Sequence, residues 1–399
     1  TAITQTFFQN NLFTLCHLIY TDTFYMKRKW IRWVSWILLT PIILFVILMV
    51  LLYVPPVQNL LRREVTAYAS KATGMQIQVE RIDLRFPLNL LVRGVEVIQQ
   101  PDTLLSLESL NVRVQAWPLI KGKVEVDEVT LSRVAVNSAD LMEGMNIKGV
   151  LGRFFLQSHG VDLSNELAVI NQVELSDTHV QLLMNDTTTT PKDTTASAPI
   201  NWKVALHQLK LKNVSFSMQL PADSMRMAAH IGEAAIDDAQ ADLKNQYYDL
   251  KKFLLSGTSV SYDTGTAQPA EGFDASHIAV RDIRIALDSL LYKGRDMNAV
   301  IREFTMNERS GLSVTSLTGR AYSNDSVICV PGLKLNTPHS EIDLSAHTYW
   351  ELVNIPTTGR LSARLNAYIG KEDVMLFAGG LPESFKEAYP FRPLVIRAG

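Results

Sequence analysis

The chain has 399 residues, with 38 Lys and Arg against 40 Asp and Glu and a formal net charge of −2. That balance excludes the basic excess of a nucleic-acid binder, and a hydrophobic fraction of 47% excludes a disordered tail. Its two cysteines, Cys16 and Cys329, give no disulfide framework.

Residues 1–25 contain no Lys or Arg and run into Met26-Lys27-Arg28-Lys29, which reads as a natural start, so they are expected to be a non-native leader. Residues 33–54 carry no charge, and a helix of that length rises about 33 Å, enough to cross a hydrocarbon core. Lys27, Arg28, Lys29 and Arg32 precede it and place the N-terminus in the cytoplasm by the positive-inside rule. Trp30, Trp33 and Trp36 at one end and Tyr53 at the other sit as interfacial aromatics do. The run exceeds the apolar core of a cleavable signal peptide, and no small-residue cleavage site follows it directly. Residues 26–54 therefore read as a basic flank and a retained single-pass anchor, with the bulk of the chain beyond the membrane.

Pro55-Pro56 opens a predicted helix over 55–74 that Gly74 closes, with Val57, Leu61, Val65, Tyr68 and Ala72 on one face. Its expected role is to cover one open end of a sheet. After Gly74 the period changes to two. Ile77, Val79, Ile82 and Leu84 alternate, skip two polar positions, then alternate again. The same spacing recurs at Leu105, Leu107, Leu110 and Val112, at Val124, Val126, Val129 and Leu131, and at Leu209, Leu211, Val214 and Phe216. Looser copies start at Leu90, Val204, Ile278 and Ile342. Two intervening polar residues flip the pleat unless a β-bulge absorbs one, so a bulge is expected in each strand, keeping these sixteen residues on one inward face. Repeated bulges bend and twist a sheet into a trough.

Three segments lack the period and read as irregular: the polar stretch 185–199, then 247–253 with Lys251 and Lys252, and 264–272. No long helix is predicted beyond Gly74. The expected fold is mainly β: one N-terminal transmembrane helix, a short amphipathic helix, and over residues 75–399 a long curled antiparallel sheet of degenerate repeats forming an open apolar groove. A closed β-sandwich shows the same alternation and stands as the alternative.

Signs of chemistry are few. His339 and His347 lie eight apart without a zinc-site pattern, and no phosphate loop, nucleophile elbow or CxxC occurs. Asp237-Asp238 and Asp127-Glu128 are adjacent, which in a strand sends them to opposite faces. Cys329, between Ile328 and Val330, reads as a buried inert thiol. No enzyme, metal site or cofactor is expected.

The basic start, single anchor and Pro-rich exit helix are followed by Thr73-Gly74-Met75-Gln76-Ile77-Gln78-Val79. Asp102-Thr103-Leu104-Leu105-Ser106-Leu107-Glu108-Ser109-Leu110 and Pro118-Leu119-Ile120-Lys121-Gly122-Lys123-Val124 come next. In this order they resemble the N-terminal part of TamB proteins of the AsmA-like superfamily, most densely over residues 26–136. The resemblance implies a protein anchored in the inner membrane whose periplasmic β-groove carries phospholipid between inner and outer membranes. It also implies, as an alternative, a scaffold for assembly or secretion of outer-membrane β-proteins. In that family a barrel protein of the outer membrane is met through a C-terminal region that this sequence lacks; the chain stops after a strand-like 393–396 and is expected to be a fragment of something longer. The Asp-Thr-Thr triplets at Asp186 and Asp193 resemble an O-glycosylation sequon of periplasmic proteins.

Overall fold

The computed structural model describes residues 53–399 apart from 87, 121–124, 139–140, 142–143, 163–164, 186–200, 355–359, 379–381 and 389–391; before residue 53 it describes only positions 36, 39, 40, 43, 44, 46, 47, 50 and 51. The expected leader, the basic flank, most of the expected anchor over 33–54, Val124 and nearly all of the polar stretch 185–199 lie outside the described residues. The described positions between 36 and 51 are helical and exposed, and Thr40 Oγ1 donates to Trp36 O at 2.6 Å. Among the described residues no helix is long and apolar enough to cross a membrane. Residues 1–61 and 62–399 form two separate compact units.

Helix α1 spans Pro55–Thr73, begun by prolines whose missing N–H groups are orphans in a first turn anyway, and ended at Gly74 with φ of 71°. Its expected apolar stripe is not the side it covers. Leu61, Val65 and Tyr68 are exposed, whereas Arg62, Thr66, Ala69 and Ser70 are half-buried. Arg62 Nη1 donates to Val79 O and Glu80 O, both at 3.1 Å, and Ser70 Oγ accepts from Ile77 N at 3.1 Å. An edge strand offers unpaired backbone groups, and those are satisfied by a guanidinium and a hydroxyl, not by methyl groups.

The strands are β1 Gln76–Arg85, β2 Asn89–Gln99, β3 Asp102–Val114, β4 Val126–Asn137, β5 Met145–Asp162, β6 Leu167–Met184, β7 Lys203–Leu220, β8 Met225–Asp242 and β9 Tyr247–Asp263. They continue as β10 His277–Lys293, β11 Asp296–Glu308, β12 Ser313–Val314, β13 Ser316–Ser323, β14 Val327–Asn336, β15 Glu341–Tyr349, β16 Leu361–Ile369 and β17 Leu394–Ala398. All belong to one 17-stranded sheet. Sequence neighbours pair antiparallel, except that β6 and β7 run parallel and that β12 and β13 both pair with β11. β1 pairs only with β2 and β17 only with β16 among the described strands, so the sheet is open. The other described helices are one or two turns long: α2 Ala116–Ile120, α3 Trp350–Asn354, α4 Lys371–Leu376 and α5 Glu383–Ala388.

Residues 247–253, expected to be irregular, are the first part of β9. The two lysines that suggested a loop sit between Leu250 and Phe253, in the apolar, polar, polar, apolar spacing of the other strands. Residues 264–276 are irregular, in line with the reading of 264–272.

Among the described residues no closed sandwich forms. Every described strand belongs to the one sheet, and among the described residues no large side chain is less than 2% exposed. The buried apolar residues are mostly alanines, with Leu104 and Leu107 the largest.

Candidate apolar surface

Residues directly opposite each other in paired strands share a face of the sheet, so the register itself sorts side chains into rows. One row runs Ile82, Val92, Leu110, Leu131, Phe154, Leu175, Leu211, Ala234, Leu255, Ile285 and Phe304, from β1 through β11. The next holds Leu84, Val112, Val129 and Leu209, joined through Leu90, Leu156 and Val173. Two more hold Val79, Leu107 and Val214, and Ile77, Leu105 and Phe216. Fourteen of the sixteen residues singled out in the sequence thus fall into four cross-strand rows. Val126 sits apart, opposite Val114, and Val124 is not among the described residues.

Between the first and third of these rows every strand from β1 to β9 places two residues that are polar or glycine. They are Glu80-Arg81, Arg93-Gly94, Glu108-Ser109, Ser132-Arg133, Gly152-Arg153, Ser176-Asp177, Lys212-Asn213, Gly232-Glu233 and Ser256-Gly257. One residue of each doublet pairs across the sheet; the other, such as Glu108 or Arg133, is skipped. The expected bulge is therefore replaced by something else. Leu107 pairs with Val134 and Ser109 with Ser132, so the register is the same on both sides of the skipped residues. A bulge is an extra residue in one strand of a pair; here both strands carry it at the same level and no shift results.

A true shift appears where only one partner has the doublet. Asp127-Glu128 on β4 has no counterpart on β3, and the register slips between Arg113 and Val114.

The skipped residue is left-handed at Gly94, Arg133, Asp177, Asn213 and Gly257, with φ between 47° and 59°. Glycine, Asn and Asp reach that region at least cost, and they fill four of the five places. Their partners are shaped to fit. A Cβ on Gly152 would lie 2.7 Å from Asp177 Cβ and 2.9 Å from Asp177 O, and one on Gly232 would lie 2.8 Å from Gly257 O. Asn213 Nδ2 donates to Asp177 Oδ1 at 2.7 Å, and Arg133 Nε donates to Glu108. The Arg133 guanidinium holds the Glu108 carboxyl below its ordinary value, first through that hydrogen bond.

A second level of doublets crosses β6 to β9. On β7 the apolar pairs Val204 and Leu206, Leu209 and Leu211, Val214 and Phe216 are separated by His207-Gln208 and Lys212-Asn213. Asp237-Asp238 belongs to this level, and its members take different partners: Asp238 meets His207 Nδ1 at 3.0 Å, while Asp237 faces Lys252 Nζ at 3.9 Å. Lys251 instead reaches Asp249 at 2.8 Å.

His339 lies 3.9 Å from Glu372, His347 packs edge-on against Tyr349, and among the described residues no group of His, Cys, Asp and Glu is placed to hold a metal ion. Cys329 is half-buried, opposite Tyr322, whose hydroxyl pKa is raised by its hydrogen bond with the thiol. What the surface offers is apolar area in long rows, half-exposed and ordered by register. No protein-family model matches the chain, and no curated protein does.

Proposed function

We propose that the chain is an inner-membrane-anchored protein whose sheet carries phospholipid between the inner and outer membranes, with acyl chains against the apolar rows and headgroups in water. The observation that carries this reading is the continuity of the rows. Apolar side chains follow one another across as many as eleven strands, and among the described residues no second layer covers them. In this reading the left-handed residue in β2, β4, β6, β7 and β9 turns the chain so that the pleat resumes on the same side. Apolar pairs on either side of a doublet then share a face, the doublets lie on the other, and repeated turning curls the sheet into a groove. Each buried CH₂ contributes about 0.8 kcal/mol wherever along a row it lies, so a chain is held without being trapped. The resemblance of residues 26–136 to TamB proteins points the same way. The alternative, a scaffold that offers a strand edge to outer-membrane proteins, is less supported at β1, where Arg62 and Ser70 already engage the outward backbone groups.

Photo-crosslinking in cells tests the reading. A crosslinking residue at Leu131 or Leu211 captures phospholipid, and one at Thr130 or Lys210 does not. Silence at both apolar positions, together with an unfolded Val129→Asp variant, would show that these rows are an ordinary core and not a lipid path.

A further inference from the structure

Four polar side chains from four neighbouring strands meet at one strand end. Gln219 on β7 is opposite Arg226 on β8, Arg226 is opposite Asp263 on β9, and Asp263 is opposite His277 on β10, so the four form one row on one face. Phe216, Ala229, Val260 and Val280 lie three residues along each strand, which puts the apolar rows on the other face. The polar row lines a depression of about 680 Å³. Small-molecule sites occupy roughly 300–1,000 Å³. The depression's other wall comes from the connection 264–276, which is longer than the nearby turns 221–224, 243–246 and 294–295.

That connection is tied down at Asp274, whose carboxylate accepts from Ala270 N at 3.0 Å, Ser276 N at 2.9 Å and His277 Nδ1 at 2.9 Å. The two backbone amides first, and then the imidazole, hold the Asp274 pKa down at about 2, so the group is a carboxylate and takes the Nδ1 proton. Arg309 Nη2 donates to His277 O at 2.8 Å. His277 is thus held from both sides and is only 7% exposed. With the proton on Nδ1, Nε2 of the neutral ring carries the lone pair. Among the described residues Nε2 has no partner, although the residue lines the depression. Arg226 and Asp263 stand opposite one another without forming an ion pair, and neither side chain has another partner among the described residues. The row is therefore divided: Gln219 and Arg226 offer N–H donors, and Asp263 and His277 offer acceptors. A guanidinium matches phosphate oxygens, and the two acceptors suit the N–H groups of a primary ammonium. Side chains directly opposite start about 5 Å apart at Cβ, a span that two carbons between a ligand's charges can bridge.

We propose that this depression binds a phosphate ester of a small primary amino alcohol, of the phosphoethanolamine type, with the phosphate at Arg226 and the ammonium at Asp263 and His277. The same chemistry occurs in a free phosphoester and in a phospholipid head group, and the site, on the face opposite the apolar rows, does not rest on the lipid-carrying reading. Native mass spectrometry of the full chain, released from detergent micelles, tests it by separate titrations with O-phosphoethanolamine, glycerol 3-phosphate, ethanolamine, phosphatidylethanolamine and phosphatidylglycerol. O-phosphoethanolamine is expected to bind about tenfold more tightly than glycerol 3-phosphate or ethanolamine, and Arg226→Gln and Asp263→Asn each to weaken it about tenfold. Lys244→Gln, in the exposed turn between β8 and β9, should leave it unchanged. Phosphatidylethanolamine adducts that exceed those of phosphatidylglycerol and weaken in the same two variants make the lipid head group the source. Adducts of the free compound alone make it a soluble ester; either result upholds the site. Equal binding of O-phosphoethanolamine and glycerol 3-phosphate, binding that neither variant weakens, or no adduct of either amino phosphate overturns the proposal. The lipid-carrying reading stands or falls separately, on crosslinking at Leu131 and Leu211.

Discussion

Strands β7 and β16 bury the same kind of side chain in different ways. On β7 the apolar residues come in pairs separated by polar doublets, and its neighbours carry doublets at the same level. On β16, Leu361, Ala363, Leu365, Ala367 and Ile369 alternate without interruption, and it pairs with β15 at one constant register from Thr348–Leu361 to Glu341–Tyr368. No positive φ occurs in β15, β16 or β17 among the described residues. The sheet thus contains a doublet region and a plain region, and their meeting point shows what a doublet does. β14 carries Pro331-Gly332 between Val330 and Leu333, while β15 has only Ser345 between Ala346 and Leu344, and there the register slips by one. A doublet is neutral to register when its neighbours share it and becomes a bulge when they do not.

Deletions sharpen this contrast most. Removing Asn213 leaves β7 one residue short between β6 and β8, both of which keep their skipped residue, and sends Val214 and Phe216 to the opposite face. We expect a loss on the order of 4 kcal/mol or more, or no folding, by denaturant unfolding followed by circular dichroism. Removing Pro331 should be tolerated, because β14 has one residue too many against both β13 and β15, and its deletion makes the three registers continuous. Equal damage from the two deletions would break the comparison.

Substitutions at the skipped level come next. Gly152→Ala and Gly232→Ala each set a Cβ against backbone closer than 3.0 Å, at an expected cost of about 1–3 kcal/mol in unfolding free energy. At Asn213 the left-handed backbone makes Asn213→Val cost about 1–2 kcal/mol while Asn213→Gly stays near neutral. Serine to valine at Ser362, on the plain strand β16, carries no such backbone penalty, and thermal melts of the three variants give the ranking.

The smallest effect is that of pH. Glu108 has a folded pKa lowered from 4.5 by Arg133, so its contribution is fully present above the unfolded value and is lost as pH falls through the folded one. Carbon-detected NMR titration of the Glu108 carboxyl should show the low midpoint, and Arg133→Gln should raise it toward the ordinary value.

How far the fold was legible follows from these same residues. The spacing of Ile77, Val79, Ile82 and Leu84 is local, and it announced both the strand and its interruption. Glycine, Asn and Asp at the skipped places are also local signals of a left-handed residue. The phase between strands is not local. That Leu110 meets Leu131, and Leu131 meets Phe154, depends on pairings between distant segments, and no single strand contains it. Lys251-Lys252 was mistaken for a loop because two charges outweighed the apolar residues on either side. The covered side of α1 was missed because amphipathicity tells where an apolar stripe is, not whether the neighbour offers methyls or carbonyls. Arg133 carries no sequence signal for its left-handed backbone; its partner Glu108 lies 25 residues away.

The rows also make the sheet a ruler. Neighbouring strands stand about 4.8 Å apart, so the row from Ile82 to Phe304, ten steps long, measures roughly 48 Å along the sheet. Because the doublets along this row from β1 to β9 are matched by the strand beside them, inserting or removing a whole hairpin there changes that reach by roughly 10 Å while leaving the register of each row as it was. The length of the apolar rows is thus set by the number of hairpins, with no change to the residues within each strand.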